Sequence, residues 1–395
     1  MSTNIAENVD VSRLPHEKFQ PGQVLPIAGA HFIHDTYTSF VAPLLPVLIE
    51  KFSLSLTQAG FLTAIMQIPA VLNPFIGYLA DKTNLRYFVI LTPAITGTLI
   101  SSMGFAPDFF ALAVILFAAG ASTAAFHAPA PAMISRASGR KIGLGMSLFM
   151  AAGELSRTVG PLLAVWAVST WTLDGLYRTA VIGWAASLVL YFRLRDVPAS
   201  LEKPGSIRSV LPVLRKLFLP LAFINFFNDF LLACMTTFLP TYMQLQGANL
   251  FVAGGALSIL SLAGAVGALT SGTISDRLGR KQVLFAATIS SVALMLVFLK
   301  AQGWLLIPIL LMIGFTSLAT GPVMLAMVQE NLPNNRSVGN GIYMFISFLV
   351  RPIATVIIGA MGDLLGLKAA FFWSSLVSLL SIPVILTLPG RFRSK

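Results

Sequence analysis

The 395-residue chain is poor in charge, in cysteine and in histidine. Charged residues make up 10% of it, where a soluble domain carries about 25%. The two or three soluble domains that the length would allow are thereby excluded. A single cysteine rules out a disulfide scaffold, and no Cys/His cluster has zinc-site spacing. Acids number 15 against 26 bases, for a net charge of +11. No basic helix interleaved with aromatics accompanies that excess, so no nucleic-acid partner is expected. No GxxxxGK[ST] follows a strand, and HExxH and GxSxG are missing. The chain is therefore expected to be no enzyme, and to need no cofactor and no resident metal.

What is plentiful is apolar sequence. Hydrophobic residues reach 56% and mean hydropathy is +0.82. Disorder is excluded outside the ends, because disordered segments are poor in such residues. At roughly 20 apolar residues per span, twelve helices fit: 25–49, 57–78, 87–106, 109–134, 142–168, 176–193, 217–245, 251–273, 282–299, 304–328, 338–361 and 369–388. The fold class expected is an all-α membrane protein.

The bases lie mostly in alternate gaps between these stretches. Twenty fall on one side, with Lys82, Arg86, Arg136, Arg140, Lys141, Arg277, Arg280, Lys281 and Arg336 among them. Lys51, Arg178, Lys300 and Lys368 fall on the other. Cytoplasmic loops collect Lys and Arg, so both termini are expected inside. Residues 1–24 are polar, with Glu7, Asp10 and Glu17. They lack the basic start and short apolar core of a cleaved signal peptide, and the first span is expected to be retained.

The sequence also repeats itself. HFIHDTYTSFVAPLLP at 31–46 matches NFFNDFLLACMTTFLP at 225–240 at an offset of 194. His31 meets Asn225, His34 meets Asn228, Asp35 meets Asp229 and Arg157 meets Arg351. At an offset of 195, GYLADK at 77–82 meets GTISDR at 272–277. A duplicated six-helix unit follows: a tail 1–24, a bundle 25–193, a cytoplasmic linker 194–216 holding Pro198 and Pro204, a bundle 217–388 and a tail 389–395. Two parallel six-helix repeats about an axis along the membrane normal describe one transporter architecture, with substrate between them near the midplane.

GTISDRLGRK at 272–281 resembles the signature loop of the major facilitator superfamily, and GYLADKTNLR at 77–86 resembles its partner. The second departs from the pattern at Asn84 and Leu85. Residues 31–60 and 124–165 are similar to the fosmidomycin-resistance-type transporters of that superfamily. The resemblance implies two pseudo-symmetric six-helix bundles, proton-driven export of small drugs, a bacterial inner membrane and a monomer. It also implies a gating latch between the halves at Gly77, Asp81, Arg86, Gly272, Asp276, Arg277, Arg280 and Lys281. The glycine-rich helix-5 motif of the antiporters is altered here, with Ser147 and Ser156 in place of glycines.

Five ionisable residues lie well inside apolar stretches: Asp35, Glu154, Arg157, Asp229 and Arg351. Unpaired, each would cost about 2.5–3.5 kcal/mol at a helix centre, together more than a usual stability margin. They must pair, lose charge or face water. Asp35, Glu154, Asp229, His31 and His34 are the candidate proton-coupling residues; His31 and Asp35 share a helix face, and histidine can relay a proton. Arg157 and Arg351 are candidate anion ligands, because guanidinium forks bind phosphonate and carboxylate. Alternatively each pairs with the acid of its own half, or Arg157 pairs with Glu154. His127, Asn225, Asn228 and Tyr37 complete the candidate substrate-binding set; His127 precedes Pro129 and Pro131, which break the helix. The function expected is proton-coupled export of small anionic or amphiphilic compounds by alternating access. The partners are a small molecule, protons and the lipid bilayer. An uptake symporter, a lipid flippase and a metal-ion transporter stay open.

Overall fold

The computed structural model describes residues 18–73, 75–76, 86–194, 214–332 and 336–388. Among them ten helices are long and apolar enough to cross a membrane: α1 (Pro21–Phe52), α4 (Phe109–Ala137), α5 (Gly139–Trp171), α6 (Asp174–Arg193), α7 (Lys216–Leu245), α8 (Leu250–Leu278), α9 (Arg280–Phe298), α10 (Gly303–Asn331), α11 (Val338–Leu365) and α12 (Leu367–Thr387). Two apolar helices are shorter, α2 (Leu56–Leu72) and α3 (Arg86–Ser101). Each falls on one of the expected stretches, and no described residue is in a strand. The far end expected for α2 and most of the expected linker lie outside the described residues.

Local chemistry sets the ends and breaks. Ser55 and Gln58 close a reciprocal capping box at the start of α2, which supplies orphan helix-end donors with acceptors. Asp108 and Asn249 cap α4 and α8 by accepting from Ala111 N and Val252 N at 2.8 Å. Gly279 takes a φ of +99° between α8 and α9, a conformation that only glycine adopts without strain. The matched prolines leave matched irregularities. α1 turns at 39–40 before Pro43 and Pro46, and α7 carries a wide turn at Cys234–Phe238 before Pro240. Proline removes a backbone donor, so the helix loosens just upstream.

α1, α3, α4, α5 and α6 pack on one another, with α2 on α4; α7, α9, α11 and α12 pack together, with α8 on α9 and α10. Between the first six and the last six, α2 lies on α11 and α5 on α8, and the far ends of α1 and α7 meet. Large apolar side chains such as Phe110, Phe192, Trp304 and Leu364 are exposed on the outside. A water-soluble protein rarely shows so much apolar surface; lipid is the solvent it suits. The chain is a multi-pass membrane protein.

One end of the inter-group seam is sealed. Asp363, near the end of α11, accepts from Leu56 N at 2.7 Å, Thr57 N at 2.8 Å and Thr57 Oγ1 at 2.5 Å. A carboxylate thus caps a helix N-terminus of the other group, where the helix dipole favours negative charge. Beside it Gly359 lies against the Leu56 carbonyl, and Gly254 of α8 lies against Val165 and the Pro161 carbonyl of α5. Asp363 thus supplies three hydrogen bonds that join the two groups.

Losing charge-assisted bonds at this exposed site is worth about 1.5 kcal/mol, a tenfold shift in population. Asp363→Ala should therefore raise labelling of a buried Ala59→Cys reporter by an impermeant maleimide about tenfold, in a Cys234→Ala background. Equal labelling with and without Asp363 would show that the cap does not hold this end shut.

Candidate functional site

Asp35 sits on α1 with 5% of its surface exposed, and three histidines surround its carboxylate. His34 Nδ1 lies 3.0 Å from Oδ1 and bonds to it. His127 Nε2, from α4, lies 3.3 Å from Oδ1. His31 Nε2 lies 3.2 Å from Oδ2, close but not aimed for a hydrogen bond. His127 is the last residue before α4 breaks at Ala128–Pro129, and the break turns its ring toward α1. The sequence holds one further histidine, His16.

The rings are held from behind. His31 Nδ1 meets the Phe149 carbonyl of α5 at 2.8 Å, and its ring stacks on Phe149 at 3.9 Å and Phe126 at 5.8 Å. Gly153 makes room for it, since a Cβ there would strike the ring. His127 Nδ1 meets the Thr123 carbonyl at 3.2 Å. His34 Nε2 meets Thr96 Oγ1 at 3.1 Å, and Thr96 donates to Ser122 at 2.8 Å. Backbone carbonyls only accept, so the Nδ1 atoms of His31 and His127 both carry hydrogen. Their Nε2 atoms therefore point lone pairs at a carboxylate, unless a proton or another cation stands between.

The arginines differ from each other. Arg351 donates from Nε and Nη2 to Asp229 Oδ1, both at 3.3 Å. Asp229 is 2% exposed and its Oδ2 has no hydrogen-bond partner. Arg157 donates to Glu154 Oε1 at 3.4 Å and leaves Asp35 to the histidines. The side chains of Arg157 and Arg351 are 53% and 40% exposed. The expectation that each arginine pairs with the acid of its own half holds for Arg351 alone. The local Glu154–Arg157 pair is present.

Three further candidates are placed as follows. Tyr37 is buried and donates to the Thr179 carbonyl while accepting from Gly183 N at 2.9 Å; it ties α1 to α6. His127, placed with the substrate residues, belongs to the Asp35 cluster. Asn228 faces a small polar cavity within the last six helices, lined by Leu231, Thr288, Ser291, Ser317, Thr320 and Ser378, and accepts from Ser381 at 3.1 Å. Asn225 donates to Ser347 Oγ at 3.1 Å, close to Asp229 on α7.

Of the expected latch, Gly77 and Asp81 lie outside the described residues. Arg86 starts α3 and meets the Tyr191 carbonyl at 3.4 Å. Arg280 gathers Asp276, the Gly272 carbonyl, Ser275 and Glu330 of α10. Lys281 reaches the Leu386 carbonyl at 2.5 Å, and Arg277 is exposed. The bonds of Arg280 and Lys281 stay within the last six helices.

Thr96, Ser122, Phe149, Gly153, Glu330 and Asp363 escaped the sequence reading. The repeat held a signal for some of them. At an offset of 195, Thr96 meets Ser291 and Ser122 meets Ser317, and both matches line the Asn228 cavity. At 194, Phe149 meets Tyr343, Gly153 meets Ser347 and His127 meets Gly321.

The family profile described as Major Facilitator Superfamily matches residues 27–355. The chain is 24% identical over 388 residues to the uncharacterized MFS-type transporter YfnC of Bacillus subtilis (strain 168), covering 92% of this chain and 90% of that one. It is 22% identical over 376 residues to the fosmidomycin resistance protein of Escherichia coli (strain K12), covering 93% of each. The fold superposes on an inward-facing, occupied crystal structure of a bacterial homolog of the human lysosomal transporter Spinster. That match has a TM-score of 0.80 at 12% identity, over 92% of this chain and 95% of that one.

Tyr37→Phe removes one buried donor and one buried acceptor and should cost about 2 kcal/mol. The expected outcome is a lower midpoint in thermal unfolding of the detergent-purified protein, with substrate affinity unchanged. Weakened substrate binding at unchanged stability would return Tyr37 to the binding site.

Proposed function

The chain belongs to the Major Facilitator Superfamily, and on that premise we propose that it is a proton-coupled exporter of small anionic or amphiphilic compounds. The observation that supports this reading most is the buried Asp35 carboxylate ringed by three histidines. Such a group changes charge state with one proton while remaining within reach of the central seam through His127, 31% exposed at its side chain.

In this reading residues 25–193 and 217–388 are two rocking bundles, with 194–216 as their cytoplasmic linker. The membrane is the bacterial inner membrane, with both termini inside. The end sealed by Asp363 is then the outer one, and the half-exposed Arg157 and Arg351 open toward the cytoplasm. A phosphonate or carboxylate docks on the two guanidinium groups, for which bidentate anion geometry is natural. The Asp35 cluster takes a proton from outside, the protonated form turns inward, and the proton leaves as substrate docks. Substrate departs on the outer side. The relative named for fosmidomycin resistance supports export.

One observation favours a second reading, uptake by symport. Each arginine is held by a carboxylate, Arg157 by Glu154 and Arg351 by Asp229. An anion that takes the arginines frees those acids to bind protons, so anion and proton would travel together.

Everted vesicles separate the two. With an acidic lumen, an exporter should accumulate radiolabelled fosmidomycin, and a symporter should lose it. Asp35→Asn should abolish the pH-driven component, and full retention of it would refute the proton-carrier assignment. Arg157→Ala should raise KM at least about tenfold, the size of one lost charge-assisted bond. An unchanged KM would remove Arg157 from the anion site.

A further inference from the structure

The donors around Asp35 meet more requirements than a proton site sets. Three ligand atoms, His31 Nε2, a carboxylate oxygen of Asp35 and His127 Nε2, lie within 4.8 Å of one another. The two nitrogens stand 3.2 and 3.3 Å from the carboxylate oxygens. Tetrahedral zinc with bonds near 2.0–2.1 Å sets its donors about 3.3 Å apart. Each nitrogen thus stands at that spacing from one carboxylate oxygen, His31 from Oδ2 and His127 from Oδ1. Closing the polyhedron on a single oxygen needs a small turn of the His127 ring, whose side chain is the least enclosed of the three.

The protonation pattern points the same way. Both imidazoles give Nδ1–H to a backbone carbonyl, Phe149 for His31 and Thr123 for His127. That outer-shell bond is the usual companion of a metal-ligating histidine, because it fixes the tautomer and leaves Nε2 free to ligate. His31 Nε2 is buried and has no hydrogen-bond partner, so its lone pair is unspent. A buried acceptor left in that condition costs about 1–3 kcal/mol, and a cation between Nε2 and the carboxylate removes the cost. His34 fills the remaining outer-shell role. It bonds Asp35 Oδ1 and is itself anchored by Thr96 and Ser122.

The surroundings complete a site with one open face. His31 is fixed between Phe126 and Phe149, and the Gly153 position admits no side chain beside it. The charge of Arg157, on α5 with Phe149 and Gly153, is offset by Glu154. From these donors we infer that His31, Asp35 and His127 form a binding site for a divalent first-row transition ion of the zinc class. Imidazole with one carboxylate suits such ions, and a site without an oxygen cage excludes Mg2+ and Ca2+. His34 is a positioning residue that orients the carboxylate. The inference stands on donor geometry and is independent of which way, or with what coupling, substrate moves.

The test is calorimetric titration of ZnCl2 into the full-length, detergent-purified protein with its affinity tag removed. One equivalent should bind, and excess MgCl2 should not displace it. Asp35→Asn and His127→Gln should each weaken binding at least about tenfold, the usual loss when a ligand or its support is removed. His16→Gln, at the remaining histidine of the sequence, should leave it unchanged. A CoCl2-loaded wild-type sample should show visible ligand-field absorption that ZnCl2 bleaches, which keeps the test alive should a variant fail to fold. The proposal is overturned by absence of saturable Zn2+ binding in the wild type, or by binding that survives both ligand substitutions. Proton-driven fosmidomycin uptake into everted vesicles, run with EDTA, tells the two readings apart. Transport without Zn2+ binding removes only the metal site, and Zn2+ binding without pH-driven transport removes only the proton-coupled function.

Discussion

A carboxylate placed mid-way through an apolar bundle has to be answered locally, since neither water nor lipid will do it. This chain meets the demand twice, at Asp35 and at Asp229, and the answers differ because a few neighbours differ. In the last six helices the residues matching His31, His34 and His127 are Asn225, Asn228 and Gly321. None can carry a positive charge, so the guanidinium of Arg351 comes to Asp229. In the first six helices three imidazoles already occupy the space, and Arg157 is left to find another acid. Glu154 supplies it, at the place where the other repeat has Phe348. One duplicated frame thus carries a fixed ion pair on one side and a cluster of variable charge on the other.

That difference has consequences for what each half can do. A guanidinium stays charged under all ordinary conditions, so the Asp229 pair is opened from the arginine side by a competing anion and from the other side by a proton on the carboxylate. An imidazole offers a lone pair as well as a donor, so the Asp35 cluster has the groups that a proton or a metal ion would seek. The asymmetry also explains the hydroxyl-lined cavity beside Asn228. Thr288, Ser291, Ser317 and Thr320 line that cavity near the place where Thr96 and Ser122 brace His34 in the first half. Where the imidazole shortens to an amide, Ser291 donates to Thr316 and Ser317 to the Ile313 carbonyl instead, and space opens.

Much of this could be read from the amino-acid order, and the rest could not, for a physical reason. Helix positions follow from runs of apolar residues, and the repeat was visible because Asp35/Asp229 and Arg157/Arg351 keep their spacing. Pairing was visible only where it is local. Glu154 and Arg157 are one helical turn apart on α5, so their contact follows from the pitch of the helix. His127 joins Asp35 from a different helix, and Tyr37 turns away to Thr179 and Gly183 of α6. Such choices depend on helix rotation about its own axis, which packing decides and periodicity does not. Asp363 was missed for a similar reason. Its partners are backbone N–H groups at the start of α2, some three hundred residues earlier, and backbone donors leave no mark on a sequence.

The element that unites the site with the seam is α5. It offers the Phe149 carbonyl and the Gly153 gap to His31, and it carries Glu154 and Arg157. It then presents Gly160 to Thr36 and Ser39 of α1, and Pro161 and Val165 to Gly254 of α8. From Arg157 to Val165 is about 12 Å along one helix. The helix that holds His31 is therefore the same one that meets α8 across the seam. An effector shifts a two-state protein only by the difference in its affinity for the two states. The place where such a difference can act is the α5–α8 contact, because α5 holds His31 in its own bundle and meets α8 of the other. The glycines at 153, 160 and 254 let these surfaces meet at backbone distance, where small displacements break contacts outright.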